Sequence, residues 1–327
     1  MQSRYWIVLI TSAVFNLAQA APASFCAAGF HSKTKQQLRQ IYSKAPNHAH
    51  TTMTDRITYY SDLFLNKPYI LTSLGEGPNG EFDQAPLYRF DGFDCQTYVE
   101  TVLALAQSDT PQHFQFCLRH IRYQEGHIDY IQRHHFTAPD WNNDNQKLGF
   151  LEDVTLRILD KNHHRVARYA KTTIEPAAWY QHFTTSQIRL CTTGSPQKQL
   201  QQLQKRTQHL ANTTFSQPYI PTETLLNDDS LLPQIPNISV IEIVRPNWDL
   251  TRAIGTHLNV SHLGIAIREH GVLYFYQAST IGKKVQKAPL IDYLKHIQDS
   301  PTIRGIHIQR ILPSTFCQKA LPYHHRS

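Results

Sequence analysis

From residue 238 onward the chain changes character, and that change sets its fold class. Residues 238–245 (ISVIEIVR), 261–269 (SHLGIAIRE), 271–279 (GVLYFYQAS) and 303–312 (IRGIHIQRIL) are β-branched and aromatic, with turn residues between them. His270-Gly271 separates the second run from the third and reads as a hairpin. Earlier segments behave differently. Residues 33–46 and 50–66 space their apolar positions as helices do, and 95–106 follows a helix N-cap candidate, Asp94. Tyr98, Val99, Val102, Leu103 and Ala106 mark the buried face of that helix. Helices first and antiparallel strands last define an α+β fold.

The chain has 327 residues, long enough for a substantial core, and 41% of them are hydrophobic. No linker stands out, so residues 21–327 read as one domain. Its stretch at about 110–215 is polar and rich in His, Arg and Gln, and reads as a helical and irregular elaboration. Residues 1–20 (MQSRYWIVLITSAVFNLAQA) place Arg4 before a short apolar run and end in Ala18-Gln19-Ala20, the pattern of a cleavable secretory signal. No later stretch approaches the length of a membrane span. The expectation is an exported protein, periplasmic or secreted, and a monomer. Formal charge is +7; basic stretches such as 161–171 then suit anionic envelope polymers better than nucleic acid.

Export changes how the five cysteines, Cys26, Cys95, Cys117, Cys191 and Cys317, are read. An odd number leaves at least one thiol unpaired within a monomer. Cys95 is singled out because it opens a helix, where unpaired N–H groups and the macrodipole favour a thiolate and an oxyanion. A base must come from elsewhere among 19 histidines. His262 begins a rigid β run, and Gln277 on the neighbouring strand is placed to accept a hydrogen bond from its far ring nitrogen. His134-His135 and His163-His164 are adjacent pairs that do not share a ligand point on a helix. With no HExxH and no paired CxxC, neither a metal nor another cofactor is expected.

Residues 74–106 (LGEGPNGEFDQAPLYRFDGFDCQTYVETVLALA), then SHLGIAI and YQAS, resemble the N-acetylmuramoyl-L-alanine amidase-like family within the NlpC-type papain-like cell-wall cysteine hydrolases. Residues 141–155, 218–221 and 255–262 extend the resemblance to about 50–312. It implies a papain-like fold, with N-terminal helices packed on a C-terminal antiparallel sheet. The implied triad is Cys95 as nucleophile, His262 as base and acid, and Gln277 as orienter, where the wider group commonly has histidine. The implied reaction hydrolyses the amide between N-acetylmuramic acid and L-Ala of peptidoglycan or its fragments, through a thioester. Glu76, Tyr88, Arg89 and Asp94 fall in the matched block as substrate-site candidates, as does Tyr219 in PYIP. Arg89 would pair with a stem-peptide carboxylate; a competing reading has Glu76 and Asp94 tying the Gly-rich loop to the helix. Two other functions compete: an endopeptidase cutting between D-Glu and the diamino acid of the stem, and a non-catalytic wall-binding protein. For the remaining cysteines the expectation is Cys26 with Cys317, clamping the chain ends, and Cys117 with Cys191.

Overall fold

The computed structural model describes residues 25–27, 29–47, 50–191 and 194–319. The signal-like segment 1–20 lies outside the described residues. Four helices come first: α1 (Phe30–Lys44), α2 (Met53–Leu63), α3 (Cys95–Ala106) and α4 (Pro111–Arg122). Each of α2, α3 and α4 opens on a side-chain N-cap, Thr52, Asp94 and Thr110 respectively, which satisfies a first-turn N–H that the helix itself cannot. Eight strands follow: β1 (Leu151–Asp153), β2 (Arg168–Ile174), β3 (Thr213–Pro221), β4 (Ile238–Leu250), β5 (Thr256–Glu269), β6 (Val272–Ser279), β7 (Lys284–Pro289) and β8 (Gly305–Ile311). They form one sheet in the order β2-β3-β8-β4-β5-β6-β7, with β1 on another stretch of β8. Every pairing is antiparallel.

The alternation of side chains along β4 divides the core. Ile238 and Val240 join the cluster beneath α2, α3 and α4, whereas Ile241 and Ile243 join a second cluster under the helices Thr222–Asn227 and Leu290–Ile297. The β5–β6 hairpin turns through His270 (φ 48°) and Gly271 (φ 84°), and Glu269 pairs with Val272. Two left-handed residues make the tight turn whose twist matches the flanking strands.

Three expectations need correction. The segment 110–215 carries β1, β2 and the start of β3, so it contributes edge strands to the sheet as well as helices. Helix α3 does not have one buried face, because every residue from Thr97 to Ala106 is buried; α2, α4 and β5 surround it. The disulfides join Cys26 to Cys191 and Cys117 to Cys317, the reverse of the expected assortment. Cys117 lies inside α4, against which the short helix Phe316–Lys319 packs, and that contact brings Cys317 to Cys117. Cys95 remains a free thiol.

Candidate active site

Cys95 occupies the first position of α3. Asp94 caps the helix by accepting from Thr97 N at 2.8 Å, and Thr97 Oγ1 accepts from Asp94 N at 3.0 Å. The same carboxylate takes two longer bonds, at 3.4 Å, from the amide and hydroxyl of Ser73. Its negative charge is therefore anchored, though still close enough to matter to the thiol. Burial, then Asp94, push the Cys95 thiol up to about 12; backbone N–H groups of Leu263, Gln96 and Cys95 itself pull the other way. The balance of these effects favours the neutral thiol over the thiolate.

His262 is aimed by a defect in the sheet. It pairs with Ile243, but the next pairing is Val244 with Val260, so β5 carries an extra residue at Ser261. Such a bulge re-aims the side chains beside it. The β5–β6 ladder ends at Ile265 and Tyr276, and beyond it His262 Nε2 meets Gln277 Oε1 at 2.6 Å. An amide oxygen accepts, so Nε2 carries the proton and Nδ1 keeps its lone pair. Phe275 and Tyr293 hold the ring, with centroids at 6.0 and 6.4 Å. Burial, opposed by the bond to Gln277, pushes the imidazole down to about 4.

Cys95 and His262 line one cavity of about 210 Å³, together with Gln96, Asn259, the His134–Thr137 segment and Ile174. A free thiol, an imidazole whose Nδ1 keeps its lone pair and an amide bound to that ring thus come together from α3, β5 and β6. Helix α3 supplies first-turn N–H groups suited to an oxyanion.

The other residues singled out from sequence are not among those lining that cavity. Glu76 is buried and accepts from the Arg133 guanidinium and from the Tyr123 hydroxyl; burial, opposed by Arg133, raises its carboxyl above the usual range. Arg133 and Arg189 also reach Asp83, so two guanidiniums stitch the Gly-rich loop to the body. Tyr88 accepts from Gln115 at 2.9 Å and packs edge-on against Phe114. Arg89 grips Asp91 through two bonds of 2.7 Å. Tyr219 is buried with Ala170 and Val244. Conversely, Asn259, within the matched residues 255–262, and His135, weighed from sequence only as a metal ligand, line the cavity. Among the described residues no group of His, Cys, Asp or Glu converges as a metal site, and no helix is long and apolar enough to cross a membrane.

Residues 59–303 match the family described as AmiA-like, N-acetylmuramoyl-L-alanine amidase-like. The chain belongs to this amidase-like family. Among solved structures it is similar to the Legionella pneumophila protein LPG0564, placed in the DUF1460 family, at 45% identity and a TM-score of 0.84, covering 88% of this chain and 97% of that one. It is also similar to an N-acetylmuramoyl-L-alanine amidase from Bacteroides uniformis, at 26% identity and a TM-score of 0.56, over 78% of this chain and 98% of that one. A Bacteroides fragilis structure provisionally assigned as a xylanase matches at 26% identity and 0.55, over 77% and 99%. No curated protein matches the chain.

Proposed function

We propose that this amidase-like protein is an exported cysteine amidase of the NlpC-type, papain-like kind, cutting the amide between N-acetylmuramic acid and L-Ala of peptidoglycan or its fragments. The observation that carries the reading is one cavity lined by a free thiol at a helix start and by an imidazole whose far nitrogen is bound to an amide oxygen. Cys95 Sγ attacks the lactyl carbonyl carbon, and its proton passes to His262 Nδ1 as the S–C bond forms. First-turn N–H groups of α3 hold the oxyanion. His262 then gives the proton to the departing amine of L-Ala as the C–N bond breaks, leaving a thioester. Water, losing a proton to His262, attacks the thioester; the C–S bond breaks, the acid leaves and the thiol is restored. Gln277 keeps the ring in the required tautomer, a geometric role that an uncharged residue fills.

In this reading Asp94, Glu76, Tyr88 and Arg89 brace the helix mouth and its neighbouring loop rather than touch substrate, and Tyr219 packs in the sheet against Ala170 and Val244. A glycosidase reading is less well supported, because that chemistry ordinarily requires two carboxylates across the scissile bond and no residue lining this cavity is Asp or Glu. Export is supported by the signal-like residues 1–20 and by two disulfides, which persist in oxidising compartments.

Digestion of purified muropeptides, with the fragments weighed by mass spectrometry, tests the bond. A free disaccharide and an intact stem peptide are expected, both absent with Cys95→Ala. A shortened stem would overturn this assignment in favour of the endopeptidase.

A further inference from the structure

One wall of the cavity has its hydrogen-bonding polarity dictated from deep inside the protein. Glu242 on β4 is fully buried. Three amide groups donate to it: Asn142 Nδ2 at 3.1 Å and Gln217 Nε2 at 2.6 Å to Oε2, and Gln309 Nε2 at 2.7 Å to Oε1. Only an acceptor satisfies three converging donors, so none of these amides can be turned round without setting oxygen against oxygen. Gln217 must therefore point its own oxygen away from Glu242, and that oxygen accepts from Asn259 Nδ2. Asn259 is 3% exposed and lines the cavity. One N–H of its amide is committed inward, which fixes the amide's orientation, and Oδ1, which accepts no bond among the described residues, is left for the cavity.

We propose that Asn259 is a specificity-determining residue whose Oδ1 accepts a hydrogen bond from a substrate amide N–H beside the bond that Cys95 attacks. The proposal rests on the amidase reading for the identity of the substrate, but its polarity argument does not. His135 agrees with it. Its Nε2 donates to the Tyr130 carbonyl at 2.7 Å, which leaves Nδ1 as an acceptor, and burial then Arg133 hold the ring down to about 3. The wall thus favours a donor and disfavours a carboxylate or phosphate.

Chloroacetyl-L-alanine methylamide tests this, because Cys95 displaces its chloride and leaves both probe N–H groups beside the cavity wall. Alkylation of Cys95 is timed by mass spectrometry for this probe and for two derivatives, each methylated at one nitrogen. Each rate is divided by the rate of the same probe with free glutathione, which removes differences in intrinsic reactivity. In the unaltered protein one N-methyl group should slow this normalised rate about three- to tenfold, the size of one neutral hydrogen bond. That penalty should vanish in Asn259→Leu and shrink in Glu242→Gln, which keeps the buried volume while releasing the polarity. A merely structural role would change all three rates together and leave their ratios alone. Equal ratios in the unaltered and Asn259→Leu proteins, or no alkylation of Cys95 by any probe, would overturn the proposal. Muropeptide cleavage, measured in parallel, separates this outcome from failure of the amidase reading: uncut muropeptide with a penalty that Asn259→Leu abolishes leaves the acceptor standing.

Discussion

At the Cys95–His262 pair, burial raises the thiol to about 12 and lowers the imidazole to about 4, so both are neutral across the range between. In the proposed mechanism, proton transfer is then coupled to attack rather than completed beforehand. The consequence is a wide pH plateau: kcat/KM should fall only as pH drops toward about 4, where His262 gains its proton and ceases to be a base. Iodoacetamide labelling of Cys95 should rise steadily with pH to 9 and above. A labelling plateau with an apparent pKa under 6 would instead reveal a preformed thiolate–imidazolium pair. Stability follows the same group. Because the folded value lies below the ordinary 6.5, the unfolded chain takes up the proton first, and the fold loses stability between about pH 6.5 and 4. At this scale much was legible: a cysteine after a capping Asp announces a helix start, and the SHLGIAI and YQAS segments single out His262 and Gln277. Asn259 and His135 were not, because their roles depend on Gln217 and Tyr130, partners 42 and 5 residues away in sequence that no local pattern connects to the cavity.

Between elements, the separation of β5 from β6 is what lets His262 reach Gln277. Gly264 sits just past the end of their ladder, tight against β6. A Cβ there would lie 2.6 Å from the Phe275 ring and closer still to the Tyr276 carbonyl oxygen. Gly264→Ala should therefore cost about 1–3 kcal/mol of stability by urea titration, and should lower kcat more than it raises KM by shifting the imidazole. Unchanged kcat would show that the strand spacing does not set the base. The long strands of the final third were readable because their β-branched residues alternate between two buried clusters. Strands β1 and β2 were hidden by composition: β2 (RYAKTTI) is an edge strand with exposed Arg168, Tyr169 and Lys171, and such edges are kept polar. Likewise α3 was read as one-sided because its Thr97, Glu100 and Thr101 look solvent-facing. Thr97 is instead held by Asp94 and Ser73, and Glu100 by Arg122 at 2.7 Å.

Across the whole molecule, two disulfides tie segments 165 and 200 residues apart. Loops this long remove much entropy from the unfolded chain, so the double change Cys117→Ala with Cys317→Ala should cost about 2–5 kcal/mol in urea unfolding. Cys95 lies outside both bridges, and the native protein should show one free thiol on denaturation without reductant. The pairing was not legible because it depends on where α4 meets the chain's end. The thioester can be sought directly by adding hydroxylamine during turnover on muropeptide and weighing the released products. Attack by hydroxylamine on an acylated Cys95 should yield a muramoyl hydroxamate beside the intact stem peptide, and Cys95→Ala should yield neither. Free muramic acid alone, or hydroxamate undiminished in Cys95→Ala, would contradict a reaction that passes through this sulfur.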